Sequence, residues 1–111
     1  MGFTKVCTVD ELWEGEMQSF SVDGQDILLV CAEGGAIKAF QGICPHQDIP
    51  LVEGKFDGKR VICRAHLWQF DAETGKGINP ENCALAEYPV KVDGDDIFVD
   101  TQGVQPLFAH T

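Results

Sequence analysis

The sequence predicts an all-β fold organised as one unit. Two observations carry the fold class. Apolar residues fall in short runs rich in β-branched and aromatic side chains, and turn signals built on glycine, aspartate and asparagine separate those runs. A third carries the organisation: no internal repeat, low-complexity tract or linker divides the 111 residues, a length suited to one modest core.

Taken in order, residues 3–9 read as a first strand. Asp10-Glu11-Leu12-Trp13-Glu14-Gly15 reads as a single helical turn, with Asp10 as N-cap and Gly15 as its end. From Glu16 to Val22 the residues alternate, with Met17, Ser19 and Ser21 opposite Gln18, Phe20 and Val22. That run meets Asp23-Gly24, a hairpin signal. Ile27 to Ala32 is continuously apolar, the pattern of a strand covered on both faces. Gly34-Gly35 turns the chain into a strand over 36–41, and a loop with Pro45 and Pro50 follows. Short strands are predicted over 55–57, 60–63 and 68–71, with Gly58 as a turn. Residues 75–84 read as a loop centred on Asn79-Pro80, and 88–92 with 97–100 as a C-terminal hairpin across Asp93-Gly94-Asp95-Asp96. Residues 102–111 read as an irregular tail, with His110 a surface residue.

Eighteen acids against eight bases give a net charge of −10, which argues against nucleic acid or an anionic membrane as partner. Solubility accounts for such an excess, and so does docking to a basic partner, which speeds encounter and makes it salt-sensitive. No apolar run approaches the roughly eighteen residues of a membrane span. The first ten residues lack a signal-peptide pattern, so a cytoplasmic location is expected. In a reducing compartment the five cysteines are not read as disulfides. Cys7 and Cys31, inside apolar runs, read as buried thiols. Cys83 falls in a loop.

Cys44-Pro45-His46 and Cys63-Arg64-Ala65-His66 carry the chemistry. Each places a thiolate and an imidazole in one tight turn, so both turns can reach a common site. Zinc accepts two thiolates and two imidazoles, but structural zinc sites commonly space paired cysteines by two to four residues and paired histidines by three to five. Mixed pairs with gaps of one and two fit a dinuclear centre better, with Cys44 and Cys63 on one iron and His46 and His66 on the other. Two ferric ions (about +6), two sulfides (about −4) and two thiolates (about −2) leave the oxidised centre near neutral, so an electron is added more easily than to an all-cysteine cluster. Trp68 and Pro80 are placed beside the cluster, with Asn79-Pro80 as a third, shielding loop. Core packing is the competing role for Trp68.

The ligand pattern, the stretch from Cys63 to Asp71 with Trp68, Phe70 and Asp71, and the single small β domain resemble Rieske-type ferredoxins over essentially the whole chain. More narrowly, Cys44-Pro45-His46-Gln47, Gly77-Ile78-Asn79-Pro80 and Leu85-Ala86-Glu87-Tyr88-Pro89-Val90 resemble the ferredoxin of toluene-type aromatic monooxygenases. The resemblance implies a Rieske iron–sulfur fold: a three-layer antiparallel β-sandwich spanning residues 1–111, with an inserted cluster-binding subdomain over about 42–84. It implies one [2Fe–2S] cluster on Cys44, His46, Cys63 and His66. It also implies single-electron transfer from an NADH-dependent flavin/iron–sulfur reductase to a carboxylate-bridged diiron hydroxylase, by a carrier that is not itself an enzyme and is expected to be monomeric. The alternatives are the ferredoxin of a ring-hydroxylating dioxygenase and a zinc-stabilised interaction module. Neither ligand loop holds the extra cysteine of high-potential Rieske proteins, so a potential at the low end of the range of about −150 to +300 mV is expected. Docking of both partners in turn is expected on one face around His46 and His66, formed with Gln47, Asp48, Trp68 and Pro80.

Overall fold

The computed structural model describes residues 2–45, 49–64, 68–79 and 83–104. Eleven strands occur among them, in three antiparallel sheets. The first sheet holds β1 (Thr4–Thr8), β11 (Asp96–Val99) and β10 (Val90–Asp93), in that order. The second holds β2 (Met17–Val22), β3 (Gln25–Cys31), β4 (Ile37–Gln41) and β9 (Glu87–Tyr88). Between β4 and β9 the chain builds the third: β5 (Lys55–Phe56), β6 (Arg60–Ile62), β7 (Gln69–Asp71) and β8 (Gly77–Asn79).

β3 explains why there are three layers. Ile27, Leu28, Leu29 and Val30 are all fully buried, so both faces of the strand are covered, as the unbroken apolar run predicts. Side chains alternate across a strand. Ile27, Leu29 and Cys31 therefore join a first core with Cys7, Leu12, Val22, Ile97 and Val99. Leu28 and Val30 join a second core with Phe40, Cys44, Leu51, Val61, Cys63, Phe70, Ala72 and Leu85. Each of the valine, leucine, isoleucine and phenylalanine side chains contributes about 1.5–3 kcal/mol by leaving water. The middle sheet is thus shared by two cores, and the second contains both predicted ligand cysteines.

The β2–β3 hairpin pairs Val22 with Gln25 across Asp23-Gly24. Both turn residues have positive φ, 52° and 78°, as a type I′ turn requires, and Asp23 is the only non-glycine with positive φ among the described residues. Three sequence expectations need correction. The turn after β1 is a 3-10 turn over Val9–Glu11 that starts at Thr8, not Asp10: the Glu11 carboxylate accepts from the Thr8 N–H (2.8 Å) and hydroxyl (3.2 Å). Asp10 instead offers its carbonyl to the Trp13 indole N–H at 2.6 Å. The run 88–92 is not one strand. Tyr88 pairs with Ala39 and Val90 with Val99, so Pro89 passes the chain between two sheets. Finally, the loop predicted over 75–84 contains β8, because Gly77 and Asn79 find backbone partners in Phe70 and Gln69. A second unforeseen turn, Leu51–Glu53, follows Pro50.

Candidate metal centre

Three hairpins converge on the second core. In the first, Gly42 C=O accepts from Leu51 N–H (2.8 Å), Ile43 bridges Pro50, and Cys44 N–H donates to Ile49 C=O (3.0 Å). In the second, β6 and β7 pair Ile62 with Gln69, and Cys63 N–H donates to Trp68 C=O (2.7 Å). The two closures are alike: each cysteine sits at the last rung of a ladder and bonds the carbonyl five residues on. In the third, Lys76 bridges Ala84, Gly77 N–H donates to Cys83 C=O (2.8 Å) and Leu85 N–H to Gly75 C=O (2.7 Å). The pairing of β7 with β8 sets Asn79 beside Gln69, next to the second hairpin's closure.

Cys44 and Cys63 are both 0% exposed and share one apolar core, with Trp68 and Cys83 half-buried against it. Burial first, then the Cys44 thiol, push the Cys83 thiol above its ordinary pKa. The predicted core-packing role of Trp68 is thus real, and its ring lies 6.5 Å from that of Phe70. Cys7 and Cys31 are buried in the other core, as expected, with pKa values raised chiefly by burial and secondarily by Glu11, and by Glu14 and Glu16, respectively. They lie in a different layer from the candidate centre.

Two buried thiols on equivalent hairpin closures suit soft thiolate ligation of an inner iron in water-poor surroundings. Among the described residues no three of histidine, cysteine, aspartate and glutamate gather on one point. His46, His66, Gln47, Asp48 and Pro80 lie outside the described residues, as does His110. Of the sequence-predicted site residues, the structure therefore brings together Cys44, Cys63 and Trp68.

Sequence reasoning missed three groups that hold these hairpins. Arg64 donates through Nε to the Glu53 carboxylate at 2.8 Å, linking the second hairpin to the turn that follows the first. Gly54 lies against the backbone of Ile62. Gln41, at the end of β4, is buried and bonded to the first hairpin and to the segment leaving the third. An apolar-sided cleft of about 460 Å³, lined by Glu53, Lys55, Ile62, Cys63, Arg64 and Gln69, opens beside the second hairpin. No single-residue signal marks these positions, since each acts through a contact distant in sequence.

The Rieske [2Fe-2S] domain description matches residues 2–89. The chain is 48% identical over 101 residues to the ferredoxin component of an alkene monooxygenase system from Xanthobacter autotrophicus, covering 90% of this chain and 82% of that one. It is 38% identical over 104 residues to the ferredoxin component of a biphenyl 2,3-dioxygenase from Rhodococcus jostii, covering 93% and 96%. The ferredoxin of carbazole 1,9a-dioxygenase from Nocardioides aromaticivorans superposes with a TM-score of 0.80 at 30% identity, covering 89% and 97%. A Rieske centre is one [2Fe–2S] cluster on two cysteines and two histidines, and when bound it takes up and returns a single electron. The chain belongs to the Rieske [2Fe-2S] family, as a ferredoxin that carries electrons and is not itself an enzyme.

Proposed function

We propose that this ferredoxin passes single electrons from an NADH-dependent flavin/iron–sulfur reductase to the diiron hydroxylase of a toluene-type hydrocarbon monooxygenase. Cys44 and Cys63 hold the inner iron, and His46 and His66 the outer one. The observation that carries the ligand assignment is the pair of matched closures, each beginning at a fully buried cysteine of one core. The choice of a monooxygenase is supported by the higher identity to a monooxygenase ferredoxin, 48% against 38% for a dioxygenase one. That relative's system is named for alkenes, so the substrate class is a hydrocarbon, with aromatic and alkene hydrocarbons both to be tried. The whole chain acts as one domain, with residues of about 42–84 as its cluster-binding part. It works in the cytoplasm as a monomer, and no helix among the described residues is long and apolar enough to cross a membrane.

Ligation is tested by electron paramagnetic resonance of the dithionite-reduced protein. The expected spectrum has the low average g of mixed nitrogen–sulfur ligation, lost in Cys44→Ser and in the double variant His46→Ala, His66→Ala. Coloured protein with an unchanged spectrum in those variants refutes the assignment, and a colourless zinc protein refutes the cluster. A redox titration is expected to place the midpoint well below about +100 mV, within the family range.

Turnover reconstituted with purified hydroxylases separates the two systems. Efficient coupling to a ring-hydroxylating dioxygenase, with none to a diiron monooxygenase, would favour the second reading, which the dioxygenase relatives support. Both partners dock in turn on a face around His46 and His66 that includes Gln47, Asp48, Trp68 and Pro80. Simultaneous binding of reductase and hydroxylase in a titration refutes that shared face. A net charge of −10 predicts that docking weakens as salt rises.

A further inference from the structure

Gln41 is a polar side chain where the pattern calls for an apolar one. It ends β4 directly after Phe40, a member of the core that contains Cys44 and Cys63, and is 1% exposed. Its backbone N–H donates to Ala86 C=O at 2.9 Å, and its side-chain Oε1 accepts from Ala86 N–H at 2.9 Å. Its Nε2 donates to the carbonyl of Ile43 at 2.8 Å. One amide therefore satisfies a buried donor on the segment leaving the third hairpin and an acceptor one residue before Cys44. The first hairpin pairs within itself, Gly42 with Leu51 and Ile43 with Pro50. The third pairs within itself too, Lys76 with Ala84 and Gly75 with Leu85. Gln41 supplies a hydrogen-bonded tie between them, at the base of the first predicted ligand loop.

We infer that Gln41 is a positioning residue for the iron–sulfur centre, fixing the Cys44 hairpin against segment 83–86 so that this segment keeps water from the Cys44 sulfur. This rests on Cys44 being a cluster ligand. Leu85 and Cys83, which pack on the same core as Cys44, are the side chains so held. Removing the amide leaves the buried Ala86 N–H and the half-buried Ile43 C=O without this partner, a cost large enough to favour local opening about tenfold.

The test compares Gln41→Met, which keeps the volume and removes the side-chain bonds to Ile43 and Ala86, with Ile97→Val in the other core. Ile97→Val serves as the measure of general destabilisation. With cluster-loaded proteins, bleaching of visible absorption by a chelator is timed at a temperature where all are folded, and the midpoint potential and reduced-state g values are recorded. Gln41→Met is expected to bleach about tenfold faster than wild type, with a shifted midpoint and faster amide exchange at Ala86, while Ile97→Val bleaches at the wild-type rate. Bleaching of Gln41→Met no faster than Ile97→Val, with the wild-type midpoint, overturns the proposal. If Gln41→Met fails to fold, Gln41→Glu, which keeps an acceptor for Ala86 and loses the donor to Ile43, is read by the same two outcomes. A coloured Cys44→Ser protein with an unchanged spectrum marks failure of the ligand reading instead.

Discussion

Gly54→Ala is the substitution with the sharpest expected consequence. Gly54 follows the 3-10 turn after the first ligand hairpin, and its N–H donates to Leu51 C=O at 2.9 Å. Its φ is −88°, outside the left-handed region that favours glycine, so a positive φ is not the issue. Space is. A Cβ at Gly54 would lie 1.9 Å from Ile62 O, 3.0 Å from Ile62 C and 3.2 Å from Arg64 N. All three are backbone atoms of the second ligand hairpin, so no rotamer change relieves the overlap. The two hairpins must separate by about 1 Å merely to reach the closest tolerable approach. Overpacking costs about 1–3 kcal/mol, and a forced backbone shift belongs at the upper end. At about 4–8 °C per kcal/mol for a domain of this size, Tm falls by about 12–24 °C. Thermal melts followed by near-ultraviolet circular dichroism and by visible absorption measure both unfolding and cluster loss. Gly35→Ala is the comparison: its φ is +88° but nothing lies within 4 Å, so it carries only the left-handed penalty of about 1–2 kcal/mol. A Gly54→Ala protein that melts within about 4 °C of wild type with a full complement of iron would refute the reasoning.

Adjacent residues of β3 serve different cores, which gives a second prediction. Leu28→Ala and Leu29→Ala should each cost about 2–5 kcal/mol by denaturant unfolding. Only Leu28 lines the core of Cys44 and Cys63, so faster cluster release below the unfolding transition should accompany Leu28→Ala alone. Equal release rates would break the two-core description. A third concerns Asp57, whose carboxylate accepts from the backbone N–H groups of Lys59 (2.9 Å) and Arg60 (2.7 Å) and from the Arg60 guanidinium (3.0 Å). These bonds, the backbone pair foremost, hold its pKa below the usual 3.8. A lowered folded pKa stabilises above the unfolded value, and that stabilisation disappears as pH falls through the folded one. Asp57→Asn should therefore be less stable than wild type at pH 7, by under about 1 kcal/mol for so exposed a group. The gap should close below about pH 4. Urea melts at pH 7 and pH 3 with an equal gap would exclude this cause.

The parts of the molecule legible in the sequence are those set by neighbours along the chain. Asp23-Gly24 needs only its own φ values to make a hairpin, and the run from Ile27 announces a strand covered on both faces because each residue's surroundings alternate with its position. Cys44 and Cys63 stood out because a thiol and an imidazole within one turn is a chemical statement, and the structure sets those two cysteines at the same rung of two ladders in one core. Pairing across sequence distance decided the rest. β8 is a strand because β7 offers it partners, Pro89 divides a run that reads as one strand because two sheets compete for it, and Thr8 displaced Asp10 because Glu11 reached back to it. Gln41 and Gly54 carry no local signal at all, since a glutamine's partners and the room for a methyl group are properties of what other segments bring near. Local chemistry can be read from the order of residues, whereas the hold of one hairpin on another exists only once the layers have closed.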